Sequence, residues 1–590
     1  MSIRMPSSRS WVARVAAGLS GVALAAGLLV SGAGAASAAE APEPAPTPAA
    51  ASEPSLDAYL VDGSVASFRA DDIISDKNMY DPNAMTAAQV QAFLVATVPS
   101  CATTNCIDIR SFPASPAQPA NNDCSAVAGG LTTASAMIAA AGKACGVSQK
   151  ALLALIQKES SLIGSDSPTD SQYDQATGYA CPDGSSCDPA YRGFFLQVYN
   201  AARQLDDYRA EPRLPIGTPT QIDYSPNPDC GSSAVTIRTV ATAALYSYTP
   251  YQPNDAAKVQ GSNGNACSSI GNLLFWFVYT DWFGYPQIDV DRIQGADRYE
   301  VAVNVAEKAY PDGAGTVFIA TGTGYADALS AGPAAVQANA PLLLTPTGAL
   351  TSGVADEISK QLKPQKIVIV GGPNSVSPFV QSQLAGLVPG VDVERIGGAD
   401  RFEVSRNLAA YAFPSASGAY VATGLNFPDA LSASGAGGHL GRPVVLVNGG
   451  ASSIDGPTAA LLESLKVTDV RIAGGPNSVS DGIQSSLDAL PGVTSVERLS
   501  GADRFAASLA INQDAYGTSD RVFLATGLNF PDALAGSAYA GALGAPLLVV
   551  PQNCLPRDVR LSFKTFDNTK VTLLGGPNSL GAGVAALTGC

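Results

Sequence analysis

The sequence predicts a multidomain chain: a mostly helical, disulfide-braced module, then three α/β repeats, each on a parallel sheet of flavodoxin-like layout. Three observations predict it. A set of ordered motifs recurs at a spacing of 103 residues in the C-terminal half. Within each period, short apolar β-branched runs alternate with helical stretches, the pattern of a parallel sheet covered on both faces. Eight of the ten cysteines lie upstream of those motifs, between Cys101 and Cys267. At 590 residues the chain also exceeds what a single core serves.

The first element concerns export. Arg4, Arg9 and Arg14 accompany an uncharged apolar run from Val15 to Val30, and Ala36-Ser37-Ala38 supplies a small-x-small cleavage pattern. Residues 1–38 are therefore expected to be a signal peptide, with the mature chain starting near Ala39. Residues 39–54 are rich in Pro and Ala and read as an extended linker. Residues 55–124 form an extension whose pattern does not define a fold, and residues 125–285 the helical module. No later stretch is apolar enough to cross a bilayer, and Cys590 follows no apolar tail or sorting motif. The expectation is a secreted protein that leaves the membrane after signal cleavage and attaches to the cell non-covalently.

Even cysteine counts in both regions suit disulfides in an oxidising compartment. Spacing leaves connectivity open. The local pairs Cys101–Cys106, Cys181–Cys187 and Cys554–Cys590 are expected first, then Cys124–Cys145 and Cys230–Cys267. The intervals Cys101-x4-Cys106 and Cys181-x5-Cys187 do not match zinc spacings, so no metal and no other cofactor is expected. His439 is the single histidine. Unless it folds back, that removes Ser-His-Asp, Cys-His and HExxH chemistry from the cysteine-rich region and leaves carboxylates for any hydrolysis. The formal charge of −16 argues against a nucleic-acid partner, whose phosphates need a basic surface.

The repeats are divided at 292–394, 395–497 and 498–590. Arg292-Ile-Gln-Gly-Ala-Asp-Arg298 returns as 395–401 and 498–504, Ala320-Thr-Gly322 as 422–424 and 525–527, and Gly371-Gly-Pro-Asn374 as 474–477 and 575–578. In the second unit the pattern predicts helices from about Arg401, after Asp429, over Thr458–Leu465 and around Ile483–Leu487. Strands are predicted around Ala419–Ala422, Val444–Val447 and Val470–Ala473. Asp429 and Asp532, in Asn-Phe-Pro-Asp, are expected to cap the following helix. The Gly-Gly-Pro-Asn turns read either as anion-binding nests or as plain capped turns. No nucleotide-binding motif is present.

These ordered elements resemble the cell wall binding repeat type 2 family over residues 292–590. The resemblance implies three modules around a pseudo-threefold axis, binding anionic secondary wall polymers such as teichoic acids. It makes Arg298, Arg401 and Arg504, with Asn374, Asn477 and Asn578, the polymer contacts; the other reading is that each Arg pairs with its neighbouring Asp or caps a carbonyl. The first unit departs from the pattern at Thr323-Gly-Tyr-Ala-Asp327, lacking the Asn and the Phe-Pro.

In the module, Gln149 to Ile163 patterns as an amphipathic helix with Glu159 at the border of its apolar face. A carboxyl group there loses solvent and is suited to protonating a glycosidic oxygen. Glu159-Ser160, Gly193-Phe-Phe-Leu-Gln197 and Ala244-Leu-Tyr-Ser-Tyr248 resemble the ordered motifs of lysozyme-like lytic transglycosylases, over roughly 125–285. The resemblance implies peptidoglycan as partner, Glu159 as general acid then base, and Gln197 in substrate binding. Tyr179, Tyr191, Tyr246 and Tyr248 read either as rings that stack on sugars or as core and rim packing. Asp183 and Asp188 are candidate second carboxylates for a muramidase. A non-catalytic adhesin or structural envelope protein is the alternative.

Overall fold

The computed structural model describes residues 67–98, 100–181, 187–259 and 264–590. The expected signal peptide and linker, and Asp183, lie outside the described residues.

Residues 67–285 form one helical module. Its centre is the helix Gln149–Ser160, whose residues 151–156 are all buried. Around it pack helices Ala134–Ala144, Phe194–Ala210 and Gly271–Phe283. The only hairpin described in it pairs β1 (Pro219–Asp223) antiparallel with β2 (Ser232–Thr236). The described part of the 55–124 region belongs to this core, with Ile73, Ile74, Val90 and Leu94 fully buried. Disulfides pair Cys101–Cys106, Cys124–Cys145, Cys181–Cys187 and Cys230–Cys267; Cys554–Cys590 ties the C-terminal loop.

The repeats contribute β3 (Asp289–Ile293), β4 (Thr316–Thr321), β5 (Leu342–Thr345), β6 (Lys366–Val370) and β7 (Asp392–Ile396). These are followed by β8 (Gly418–Thr423), β9 (Val444–Val447), β10 (Asp469–Ala473) and β11 (Ser495–Leu499). The last are β12 (Arg521–Thr526), β13 (Leu547–Val550) and β14 (Lys570–Leu574). They make three parallel sheets in the orders β5-β4-β6-β7, β9-β8-β10-β11 and β13-β12-β14-β3. Each is the flavodoxin-like order, second-first-third-fourth. Their central strands are buried on both faces, as their continuous Val, Ile, Leu and Ala runs require.

The fourth strand of every sheet carries the start of the next motif block. β7 ends in the Arg395 motif yet pairs with β6, and β11 ends in the Arg498 motif yet pairs with β10. The circle is closed by β3, which ends in the Arg292 motif that opens the first repeat yet pairs with β14 of the third. Arg292, Arg395 and Arg498 fasten these strands to the Gly-Gly-Pro turns: each donates through Nη1 to the carbonyl of Gly575, Gly371 or Gly474, at 2.7–3.0 Å.

Three equivalent small-residue helices, Ala331–Gln337, Pro428–Leu440 and Pro531–Ala542, pack on one another along the pseudo-threefold axis. At one level Gly332, Ser434 and Ser537 meet, with Ser434 Oγ 3.4 Å from Ser537 Oγ. Only small side chains allow backbones this close. Among the described residues no helix is long and apolar enough to cross a membrane.

The helical module sits on the third repeat. Lys77 Nζ donates to Val290 O of β3 at 2.8 Å, β3 is in turn bonded to the third repeat through Asp289 N–H and Thr569 O, and the rings of Tyr285 and Phe563 meet edge to face at 6.3 Å. Asp567 receives two cations from the module, Arg69 and Arg238. Lys363 and Lys466 hold the corresponding left-handed helix ends of the other repeats.

Candidate functional site: inter-repeat clefts and the Glu159 helix

The motifs converge at the C-terminal ends of the strands, where open α/β sheets bind ligands. Asp297, Asp400 and Asp503 cap the helices starting at Arg298, Arg401 and Arg504, each carboxylate accepting two backbone N–H groups at 2.9–3.0 Å. The Asp is thereby taken up by its helix. The Arg reaches the other way: Nη1 of Arg298, Arg401 and Arg504 donates to the carbonyl of Gly322, Gly424 and Gly527, at 2.5–2.7 Å. A side chain on Gly424 would lie 2.8 Å from the Phe402 ring and 3.1 Å from Arg401 Cδ, so the Ala-Thr-Gly glycine is required by close approach. The carbonyl-capping role foreseen for these arginines is present, and it occupies one nitrogen of each half-buried guanidinium.

The guanidinium carbon of each Arg lies over an aromatic ring of another repeat. Arg298 stands over Phe530 at 5.6 Å, Arg401 over Tyr325 at 5.8 Å and Arg504 over Phe427 at 5.9 Å. The three rings touch one another with centroids 5.6–6.1 Å apart. Each such pair contributes about 0.5–1.5 kcal/mol beyond its buried area. The first unit's departure is therefore partial. Tyr325 keeps the aromatic position although Asn and Phe-Pro are missing, and its hydroxyl donates to Leu425 O at 3.1 Å.

Asp429 and Asp532 are not the helix caps expected. The helices begin one residue earlier, at Pro428 and Pro531, after Phe427 and Phe530. The carboxyl groups turn inward, 8% exposed, and accept from Ser478 and Ser579 of the Gly-Gly-Pro-Asn turn. Asp327 and Ser375 repeat the contact in the first unit. Burial holds the Asp429 and Asp532 carboxyls above the usual range, opposed by those serines and by Arg504 and Arg298 respectively. The turn glycines Gly371, Gly474 and Gly575 have φ between +98° and +108°, with the Asp Oδ2 2.1–2.4 Å from where a Cβ would sit. These turns are packed against a carboxyl group, which excludes a nest opening onto a ligand at that glycine. Asn374, Asn477 and Asn578 are exposed, and their side-chain amides bond to no described protein atom.

Between the first and third repeats these groups line an open cleft of about 680 Å³. Arg298, Glu300, Asn529, Asp532 and Asn578 are among its walls. The Arg-over-ring pairs place equivalent junctions between repeats one and two and between two and three. Sequence reading missed the buried Asp–Ser pairs and the aromatic triad. The shared position of Tyr325, Phe427 and Phe530 was the available signal.

In the module, Glu159 lies in the last turn of Gln149–Ser160 with its side chain 24% exposed. The buried Lys158 donates through Nζ to Glu159 Oε1 and to Thr249 Oγ1, both at 2.5 Å. Gly178 approaches the same carboxylate, and the Glu159 charge adds to burial in pushing Tyr248 well up. The Tyr248 hydroxyl donates to Thr177 O at 2.9 Å. Tyr179 and Tyr191 are half-buried, meet edge to face at 5.1 Å, and the Tyr179 hydroxyl accepts from Arg203.

Two expected substrate contacts are instead internal. Gln197 is fully buried, donating to Tyr179 O and Tyr191 O at 2.9 Å and accepting from Tyr179 N–H, so it ties the backbone at Tyr179 to the backbone at Tyr191. Tyr246 is 1% exposed and donates to Ala70 O at 3.0 Å. Asp188 caps the short turn Pro189–Tyr191. His439 is stacked on Tyr516 at 4.7 Å, on the surface of the repeat array and far along the sequence from the module.

A closed ring of three parallel-sheet repeats, with an Arg-bearing cleft at one junction and equivalent Arg-over-ring pairs at the other two, defines a repeat-built binding array. Family comparison makes the class specific: cell wall binding domain 2 matches residues 292–381, 395–484 and 498–585. The C-terminal half of the chain is three cell wall binding domain 2 repeats. N-acetylmuramoyl-L-alanine amidase LytC of Bacillus subtilis is 27% identical over 296 residues, 50% of this chain and 57% of that protein. The amidase enhancer of the same organism is 28% identical over 300 residues, 50% of this chain and 39% of that protein. The chain thus spans only part of the length of these relatives, and the likeness falls on the repeats. Cwp6 and Cwp8 from Clostridium difficile are 25% and 26% identical solved structures with TM-scores of 0.47. They cover 51% and 53% of this chain, and 48% and 53% of their own chains are covered.

Proposed function

We propose that this is a secreted cell-wall protein, held non-covalently by anionic secondary wall polymers in its three inter-repeat clefts, whose helical module acts on peptidoglycan. The observation that carries the attachment is the threefold recurrence of a half-buried Arg that lies over a neighbour's ring and keeps nitrogens free of the protein. Arg offers a planar fork to phosphate or carboxylate. Three modest sites on one rigid ring gain strength by effective concentration. Relatives with similar repeats include an amidase and an amidase enhancer, which favours a task in wall turnover.

For the module we infer glycan-strand cleavage by Glu159, as a lytic transglycosylase or a muramidase. Glu159 would give a proton to the leaving oxygen; taking one back from the muramyl 6-hydroxyl yields an anhydro product, and from water a reducing end. Tyr248 and Gly178 border it. In this reading substrate must part Glu159 from Lys158, which keeps Thr249 as partner. A second reading, a non-catalytic adhesin or structural envelope protein, is favoured by that same Lys158 contact and by the internal role of Gln197.

Two measurements on the full oxidised chain test this. Sedimentation with isolated sacculi that retain their accessory polymers should be strong and fall on stripping those polymers; no sedimentation removes the attachment. Mass analysis of products from purified peptidoglycan should show anhydro-muropeptides or reducing ends with wild type and neither with Glu159→Gln. An equally active variant removes Glu159, and no release at all leaves the binding protein.

A further inference from the structure

We propose that the three clefts are unequal, and that the one between the second and third repeats is the principal site for a polyanionic wall polymer, with Ala506 as the residue that makes it so. This rests on the attachment reading and specifies its site.

The inequality is in the cleft walls. Glu300 Oε2 accepts from Ala296 N–H at 2.7 Å, and Glu403 Oε2 accepts from Ala399 N–H at 2.6 Å. Each glutamate thereby lays a carboxylate against the loop leading to its Arg, and Glu300 lines the 680 Å³ cleft beside Arg298. At the third occurrence the residue is Ala506. It brings no charge, and the loop N–H of Ala502 has no acceptor among the described residues. Arg504 therefore faces its cleft without the carboxylate that accompanies Arg298 and Arg401.

The remaining groups point the same way. The junction of repeats two and three carries Asn426, Asn477 and Phe427; at the junction of one and two, Gly324 takes the place of the first Asn. The acids that do border Arg504 are engaged. Asp503 accepts from Phe505 and Ala506 N–H, and Asp429 is buried on Ser478. Arg504 itself uses only Nη1, on Gly527 O, and its guanidinium carbon lies over the Phe427 ring. A cation with spare donors, two amides, a ring face and no free carboxylate suit a polymer of alternating anionic and hydroxyl-bearing units. Phosphodiester or uronate could supply the charge.

The test uses the full, disulfide-intact chain and two soluble probes, a poly(glycerol phosphate) and an oligoglucuronate, with neutral dextran as control. Wild type should bind at least one anionic probe, the preferred one naming the source of charge, and dextran weakly. Ala506→Glu restores the cap found in the other repeats, so it should fold normally while binding about tenfold more weakly at low salt. Ala506→Gln has the same shape without charge and should stay within about twofold of wild type. Glu300→Ala and Glu403→Ala should strengthen binding or add sites. Ala506→Glu binding as tightly as wild type overturns the proposal. So does a wild type that sediments with sacculi yet binds neither anionic probe, which would spare attachment. Failure to sediment would remove the attachment reading itself.

Discussion

Replacing Gly474 by Ala tests whether the Gly-Gly-Pro-Asn turn is built around a buried carboxyl group. Gly474 has φ +108°, where an L side chain costs roughly 1–3 kcal/mol. The new methyl would also lie 2.3 Å from Asp429 Oδ2, well inside contact distance. Relief requires Asp429 to swing off Ser478, leaving a buried polar group unpaired for about 1–3 kcal/mol more. The sum, about 2–6 kcal/mol, is a large share of a domain's stability. Gly475→Ala is the control: its Cβ would meet only Ser500 Cβ, at 3.9 Å. Urea unfolding of the oxidised chain should show a lowered midpoint for Gly474→Ala and little change for Gly475→Ala. A loss below about 1 kcal/mol at Gly474, or equal losses at both glycines, would refute the reasoning.

Asp567→Lys places in the third repeat the residue type found at Lys363 and Lys466, so the repeat should keep its fold. Arg69 and Arg238 would lose their shared partner, and hydrogen exchange should rise around 67–75 and 238 by an amount matching about 1 kcal/mol, given the exposure of Asp567. Glu357 is buried beside Glu307 with one carboxylate oxygen lacking a donor, and burial, then Glu307, raises it from 4.5 to about 7. A raised acid stabilises below its unfolded value and loses that contribution as pH climbs through the folded one. Wild type should therefore lose up to about 3 kcal/mol between pH 4.5 and 7, relative to Glu357→Gln, in urea midpoints. Tyr325→Ala removes two ring contacts and the seat of Arg401, and should lower stability by about 1–3 kcal/mol in thermal unfolding.

Much of the fold was legible because it is written in local pattern. The strands around Ala419–Ala422, Val444–Val447 and Val470–Ala473 lie where β-branched runs place them, and the cysteines pair with near neighbours. What escaped was decided by contacts across repeats. Asp429 resembles a cap in sequence because Asp before an Ala-rich run is a cap signal. Pro428 fits the first helical turn, so the helix starts earlier and Asp429 is carried inward. Gln197 resembled a substrate contact, yet the carbonyls of Tyr179 and Tyr191 need donors, and the buried Gln197 amide supplies both.

The motif period also conceals how the repeats are joined. Arg395 and Arg498 open their blocks in sequence, yet stand on the last strands of the preceding sheets. By the same rule the first repeat's opening strand has no preceding sheet of its own, and β3 completes the third. A linear array of such units would expose an unpaired edge at β14, an invitation to pair with another chain. Closure gives β14 the partner that β6 and β10 have in β7 and β11, with β3 as the edge strand, and sets Arg298 opposite Phe530 to form the cleft between repeats one and three. Since β3 follows directly on the module's last helix, Gly271–Phe283, the strand that closes the ring also fixes where the module sits. The face carrying Glu159 is therefore placed relative to the repeat ring by β3 together with Tyr285 against Phe563 and Arg69 and Arg238 on Asp567.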